Sequence, residues 1–303
     1  MTVKQASGAT GKLLLNEPMA RYTSWRVGGK ADRLYIPARL DDLCQFLQNL
    51  KNDEPVYFIG LGSNLLVRDG GVRGTVILMH NVLTDLRAED GLIYAEAGVT
   101  CAKLAKFCAK EAKQGAEFFA GIPGTLGGAL AMNAGCYGTE TWSVVNRVTT
   151  INRQGQLNTR DAADFSASYR HVDMPVADEW FIAAWLNLKA GDTHESAHKI
   201  KELLAQRLAS QPLNLPSAGS TFRNPDGDYA ARLIEASDLK GYIIGGAQVS
   251  EKHANFIVNI GGANALDIEL LIKHMRETVL AKYGVALQQE VKVIGEYEGE
   301  AEW

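Results

Sequence analysis

The stretch Gly121-Ile122-Pro123-Gly124-Thr125-Leu126-Gly127-Gly128-Ala129-Leu130-Ala131-Met132-Asn133-Ala134-Gly135-Cys136-Tyr137-Gly138-Thr139-Glu140 holds six glycines in twenty residues. A segment this small packs poorly by itself, and its composition is best explained by backbone that approaches something closely or takes positive φ. A second loop of the same character, Gly60-Leu61-Gly62-Ser63-Asn64, directly follows the strand-like run VYFIG at 56–60. That position suits an anion nest, in which successive backbone N–H groups converge on a phosphate without a positive side chain. Taken alone, the loop reads as a glycine turn. Two such loops in one domain are what a long, pyrophosphate-bridged cofactor requires. The 60–64 loop is not a Rossmann fingerprint, because residue 65 is Leu where a third glycine would fall, and no GxxxxGK[ST] phosphate loop occurs.

Outward from these loops, the first half of the chain is a series of short β-like runs, RLYIP at 33–37, TVILM at 75–79 and LIYAEAG at 92–98. A helix is predicted from Thr100, a reasonable N-cap, to Lys113, with Leu104, Phe107, Cys108 and Glu111 on one face. Strand patterning returns at 144–155 and 180–188, and Asp192 or Thr193 opens a helix to Ser210. The polar connector SQPLNLPSAGS follows, and Pro212 and Pro216 place the main domain boundary near it, since neither continues a helix. The last third reads as helix 229–236, strands 242–249 and 256–259, helix 265–283 and strand 291–297. The acidic tail EGEAEW is expected to fray.

The 303 residues suffice for two or three structural units, and the net charge of -4 leaves no basic footprint for nucleic acid. The N-terminal three-leucine run is far short of a signal-peptide core or a membrane span, so the expectation is a cytoplasmic protein without a membrane partner. Cys44, Cys101, Cys108 and Cys136 form no CxxC pair, which fits a reducing compartment, and Cys101 and Cys108 read as small core-facing hydrophobes. His194-Glu195-Ser196-Ala197-His198 fits the HExxH zinc pattern. The motif begins in a first helical turn, where Asp192 and Glu195 read as a capping box, and continues into the charged amphipathic KIKELLAQRL. It is therefore read as a surface helix with two chance histidines, and no metal is expected. Ser220 sits in no GxSxG elbow, and Glu290, at the mouth of the strand VKVIGEY, reads as solvated or as aimed into a cleft.

Six ordered strings carry a resemblance: TSWRVGGKAD at 23–32, GLGSNLLV at 60–67, GIPGTLGGALAMNAGCYG at 121–138, SYR at 168–170, QPLNLPSAGSTFRNP at 211–225 and QEVKVIGE at 289–296. From about Asn16 to Gly295 the chain resembles the bacterial UDP-N-acetylenolpyruvoylglucosamine reductases. The resemblance implies an α+β fold with a two-subdomain FAD-binding region of the vanillyl-alcohol-oxidase/PCMH type, over 1–80 and 81–210, and a smaller α+β substrate domain over 211–303. It implies noncovalent FAD, NADPH as reductant and a UDP-sugar enolpyruvyl ether as substrate. It assigns Arg170, Ser220 and Glu290 to catalysis and Tyr169, Asn224 and His253 to the substrate. Cofactor binding falls to Gly60, Gly62, Ser63, Asn64 and Leu65 in one loop and to Gly124, Thr125, Gly127, Gly128, Asn133 and Gly135 in the other. By the same resemblance, hydride reaches the methylene carbon of the enolpyruvyl group, Arg170 and a protonated Glu290 stabilise the enolate, and Ser220 delivers the proton. The interval from Arg170 to Arg207 leaves no room for the tyrosine-bearing insertion of one family branch, which points to the short-loop branch. A monomer is the expected assembly. The rival classes are a vanillyl-alcohol-type flavin oxidase and, through His194 and His198, a zinc hydrolase.

Overall fold

Strands form where alternating side chains can bury one face, and the computed structural model, which describes residues 11–299, realises that pattern in two compact units. The first comprises the described part of Met1–Leu15 with Arg33–Leu61 and Gly74–Arg207. The second comprises Asn16–Asp32, Gly62–Arg73 and the described part of Leu208–Trp303. The N-terminal decapeptide and the end of the acidic tail lie outside the described residues.

In the first unit, five antiparallel strands run in the order Leu157–Asp161, Val145–Asn152, Glu179–Leu186, Leu92–Glu96, Leu86–Glu89. The central strand, EWFIAAWL, is apolar almost throughout because neighbours cover both of its faces. Helix Cys101–Lys110 starts where predicted, with Thr100 Oγ1 accepting from Lys103 N at 3.4 Å. It stops three residues earlier than predicted, at a Glu111 cap. Its Cys101, Leu104, Ala105 and Cys108 share one core with Ile93, Phe119, Leu126, Val148 and Ala184. Truncating a side chain as fully buried as Leu104 to alanine costs about 2–5 kcal/mol. Strand Val56–Ile59 pairs in parallel with Val72–Leu78, register Ile59 to Leu78. The glycine-rich segment is not loop throughout, because Leu126–Ala131 forms a short helix whose Leu126, Ala129 and Leu130 are buried.

The second unit is a four-stranded antiparallel sheet, order Ser217–Ser220, Phe256–Asn259, Ala247–Val249, Ile243–Ile244, with helices Ala230–Glu235 and Ala265–Tyr283. The strand predicted over 242–249 is two strands, because the chain turns at Gly245, where φ is +53°. The long helix has the predicted bounds: an Asn264/Asp267 capping box starts it and Gly284 in the left-handed conformation ends it. Asp69 accepts from Ala265 N at 3.0 Å and Leu266 N at 2.9 Å, adding negative charge where the helix dipole is positive. Leu65–Val67 and Lys292–Ile294 form a parallel pair. Trp25, fully buried, donates its indole N–H to Ile257 O at 2.8 Å and joins the core of Leu66, Phe222, Leu271 and Met275. Among the described residues no helix is long and apolar enough to cross a membrane.

Candidate active site

The end of strand Val56–Ile59, the start of helix Leu126–Ala131 and the head of strand Glu179–Leu186 enclose a cavity of about 180 Å³ in the first unit. Gly60, Ala97, Thr125, Gly128, Val172 and Trp180 are among its walls. Whole-ligand pockets run to roughly 300–1,000 Å³, so this one has room for only part of a large ligand. Its glycines serve different ends. A Cβ at Gly60 would meet Thr125 Oγ1 at 2.3 Å and one at Gly127 would meet Ala97 Cβ at 2.9 Å, so packing within the protein demands both. A Cβ at Gly128 would meet nothing nearer than Thr125 Oγ1 at 3.9 Å. The fold has no need of a glycine there, and the bare backbone leaves room for a ligand.

Main-chain donors in the second glycine cluster are largely engaged. Cys101 N donates to Gly124 O (2.9 Å), Leu126 N to Val99 O (2.8 Å) and Gly127 N to Ala97 O (2.9 Å). In the 60–64 loop, by contrast, the N–H groups of Gly62 and Ser63 donate to no group among the described residues. Gly62 has φ +61° and its Cβ would strike Tyr22 O at 2.0 Å, so only glycine fits. Asn64 Nδ2 donates to Glu290 O at 3.2 Å and Asn64 O accepts from Lys292 N at 3.0 Å, which ties this loop to the segment bearing Glu290. Leu65 is a buried strand residue that opens the parallel pair with Lys292. An apolar cavity with a bare glycine wall is the kind of site that takes a planar ring, and uncommitted main-chain donors are the kind that take an anion.

Ser220 and Glu290 are neighbours in the second unit. Glu290 N donates to Thr221 O at 2.8 Å, Arg223 N donates to Gln288 O at 2.8 Å, and Phe222 bridges to Gln289. Strand Ser217–Ser220 carries one extra residue against its partner, Ser217 opposite Val258 but Ser220 opposite Phe256, with Gly219 at φ +76°. Such a bulge turns the side chain that follows it, here Ser220, away from the ladder's alternation. Asn255, which the sequence gives no reason to single out, clamps the next peptide: its Oδ1 accepts from Phe222 N at 3.0 Å and its Nδ2 donates to Phe222 O at 2.8 Å. Asn224, an exposed residue, accepts through Oδ1 from Ala230 N at 3.2 Å at the start of a helix. The His253 ring packs edge-on against Phe256, the partner of Ser220. Burial lowers the His253 pKa and favours the neutral ring, whose buried Nδ1 has no hydrogen-bond partner among the described residues.

Arg170 stands in the first unit on the two-residue turn between strands Ser166–Ser168 and His171–Asp173. Its φ of +57° is a left-handed conformation that costs a side-chain-bearing residue on the order of 1–2 kcal/mol. Its Nη2 donates to Gly135 O at 2.9 Å, and its guanidinium lies 5.0 Å from the centre of the exposed Tyr169 ring. Asn133, itself at φ +41° and buried, donates Nδ2 to Glu140 Oε2 (2.9 Å) and to Ser168 O (3.0 Å) and accepts from Trp142 N (3.1 Å). Both donors of its amide therefore face the protein. Val172, Met174 and Trp180 also line the cavity, and no local signal marks them, because antiparallel pairing of distant strands brings them there.

His194 and His198 lie on an exposed helix face, His198 Nδ1 at 3.6 Å from Glu202 Oε1, while Asp192 Oδ1 accepts from His194 N and Glu195 N. Among the described residues no three His, Cys, Asp or Glu side chains gather as a metal site. Two larger, open grooves occur, one of about 500 Å³ beside Glu117 and Lys199 and one of about 450 Å³ beside Leu213 and Lys252. Neither is lined by any of the glycines or catalytic candidates above.

An α+β chain with a glycine-walled apolar cavity and uncommitted main-chain donors defines a dinucleotide-binding protein. The comparisons agree: a family model described as FAD binding domain matches residues 31–159, and one described as UDP-N-acetylenolpyruvoylglucosamine reductase, C-terminal domain, matches 211–294. A UDP-N-acetylenolpyruvoylglucosamine reductase of Alkalilimnicola ehrlichii is 58% identical over 94% of this chain and 96% of its own length. One of Methylococcus capsulatus is 55% identical over 98% and 99%. The crystal structure of UDP-N-acetylenolpyruvylglucosamine reductase from Thermus caldophilus superposes with a TM-score of 0.79 at 30% identity, covering 94% of this chain and 99% of that one. The chain belongs to the UDP-N-acetylenolpyruvoylglucosamine reductase family and is a flavin-dependent oxidoreductase.

Proposed function

We propose that this protein reduces the enolpyruvyl ether of UDP-N-acetylglucosamine to UDP-N-acetylmuramate with NADPH, a step of peptidoglycan precursor synthesis carried out in the cytoplasm by a monomer. The FAD-binding part is read as two subdomains, 1–80 and 81–210, and 211–303 as the substrate domain. The observation that carries the chemistry is the juxtaposition of a bulge-turned Ser220 with Glu290 on the adjoining segment, inside the region matched by the reductase C-terminal model.

FAD, when held by the glycine loops, would supply the two-electron hydride chemistry that no side chain offers, with NADPH as the reductant. The residues of the chain manage charge and the proton. Hydride addition to the methylene carbon puts an electron pair on the neighbouring carbon and its carboxylate, and the Arg170 guanidinium stabilises that charge more than the ground state. A protonated Glu290 assists. Ser220 Oγ gives its proton to the carbon, completing addition of one hydride and one proton across the double bond. Serine is a weak acid, so it serves only a strongly basic carbon and needs reprotonation from a neighbour.

Tyr169, Asn224 and His253 contact the substrate in this reading. Gly60, Gly62, Ser63, Asn64, Leu65, Gly124, Thr125, Gly127, Gly128 and Gly135 surround the cofactor. Between Arg170 and the helix opening at Thr193, residues 174–178 are the longest stretch outside strands, which supports the short-loop branch. Ser220→Ala is expected to leave flavin reduction by NADPH within twofold and to slow flavin reoxidation by substrate by orders of magnitude in separate stopped-flow half-reactions. Equal losses in both would remove Ser220 from proton delivery.

A further inference from the structure

Arg170 occupies the second position of a two-residue hairpin turn with positive φ, where glycine or asparagine is the unstrained choice. A strained residue of this kind persists only when its surroundings over-determine it. The hairpin contributes little to its own anchoring: Ser166, Ala167, Ser168, Tyr169, His171 and Asp173 are exposed, and Val172 alone of strands Ser166–Ser168 and His171–Asp173 packs on the core. What grips the turn is the segment from Asn133 to Gly135. It holds the carbonyl that enters the turn, through Asn133 Nδ2 to Ser168 O at 3.0 Å, and it takes the guanidinium, through Gly135 O to Arg170 Nη2 at 2.9 Å.

Resting on the reading of Arg170 as catalytic, we infer that Asn133 is a positioning residue for Arg170 and that Glu140 orients it, rather than Asn133 contacting the cofactor. Its amide has two N–H donors. One is directed by Glu140 Oε2 at 2.9 Å and the other holds Ser168, while Oδ1 accepts from Trp142 N at 3.1 Å. The side chain is buried, and its own left-handed φ of +41° is one that asparagine adopts more readily than most residues. The Glu140 backbone is paired with Gly135, so one small hairpin carries the orienting carboxylate, the amide and the carbonyl that receives Arg170.

The test uses the flavin-loaded protein and separate half-reactions with NADPH and the enolpyruvyl nucleotide sugar. Asn133→Asp keeps the size, the tolerance of positive φ and the acceptor for Trp142 N. It loses the donor to Ser168 O and sets a carboxylate against Glu140. The expected result is full flavin content, reduction by NADPH within twofold, and reoxidation by substrate slowed at least tenfold. Asn133→Asp/Glu140→Gln exchanges donor and acceptor between the two positions, and so restores that contact and thermal stability but not the bond to Ser168 O. Slow reoxidation should persist in it. In an Arg170→Ala background the Asn133→Asp change should add no further slowing.

Loss of flavin or an equal slowing of both half-reactions would overturn the inference, and so would recovery of reoxidation in the double variant. Arg170→Ala with normal reoxidation would remove the catalytic reading of Arg170 and the inference with it. An Arg170→Ala defect to which the Asn133→Asp defect adds in full would overturn the inference alone.

Discussion

Replacing Gly128 with alanine separates what the fold requires from what the cofactor requires. The added Cβ has no protein atom nearer than Thr125 Oγ1 at 3.9 Å, and no positive φ forbids it. Gly128 lies within helix Leu126–Ala131, where alanine is favoured over glycine by about 0.8–1 kcal/mol, so the flavin-free protein should gain up to about 1 kcal/mol. Because Gly128 lines the cavity, the same methyl would narrow it. Forcing an extra methylene against a packed surface costs typically about 1–3 kcal/mol, which weakens FAD binding roughly five- to hundredfold. Gly60→Ala should do the reverse to the fold, because its Cβ would lie 2.3 Å from Thr125 Oγ1 and the apo-protein must shift to admit it. The assay is denaturant unfolding of flavin-free protein together with fluorescence titration of FAD. A Gly128→Ala protein that binds FAD as tightly as its parent would refute the assignment of this cavity to the flavin.

Glu290→Gln should slow reoxidation by substrate while sparing reduction by NADPH in stopped-flow traces, and an unchanged reoxidation rate would leave Glu290 a structural role. Glu179, buried, is held by Arg160 at 2.6 and 2.8 Å, Thr150 at 2.8 Å and Asn158 at 3.1 Å, and the Arg160 hydrogen bond foremost lowers its pKa below 4.5. The unfolded chain therefore takes up this proton first as pH falls, so the contribution of Glu179 is complete at neutral pH and is lost from about pH 4.5 downward. Thermal melts of Glu179→Gln should accordingly be less stable at pH 7 and fall less steeply below pH 4.5 than the parent, and parallel curves would contradict this. Burial raises the Cys101 thiol pKa and pushes that of Cys108 up to about 12, so neither should alkylate at pH 7.5 until the protein is unfolded, as peptide mass spectrometry can show.

Elements specified by local chemistry were legible in the sequence. Helix Ala265–Tyr283 is bracketed by Asn264 and Gly284, helix Cys101–Lys110 is opened by Thr100, and the central strand is an unbroken apolar run from Trp180 to Leu186. Features fixed by long-range pairing were not. Nothing near Leu65 announces its register with Lys292, and nothing near Trp25 announces that its indole reaches Ile257, so the membership of 16–32 and 62–73 in the second unit is invisible locally. The hairpin at 166–173 escaped because SASYRHVD has no apolar alternation and sets an arginine where turn chemistry asks for glycine. The glycine loops stood out by composition, yet the sequence could not separate Gly60, needed for contact with Thr125, from Gly128, open toward the cavity. Ser220 and Glu290 are marked in the sequence only by the family resemblance. The bulge at Gly219 and the clamp of Asn255, which define their geometry, emerge only when strands distant in sequence meet.

The most direct measurement is the anaerobic visible spectrum of the purified protein through one turnover. Flavin bands that bleach with one equivalent of NADPH, and return on adding the enolpyruvyl nucleotide sugar with stoichiometric formation of the reduced sugar acid, are the predicted result. Protein that stays colourless after incubation with FAD, or reduced flavin that oxygen reoxidises and the nucleotide sugar does not, would contradict the account.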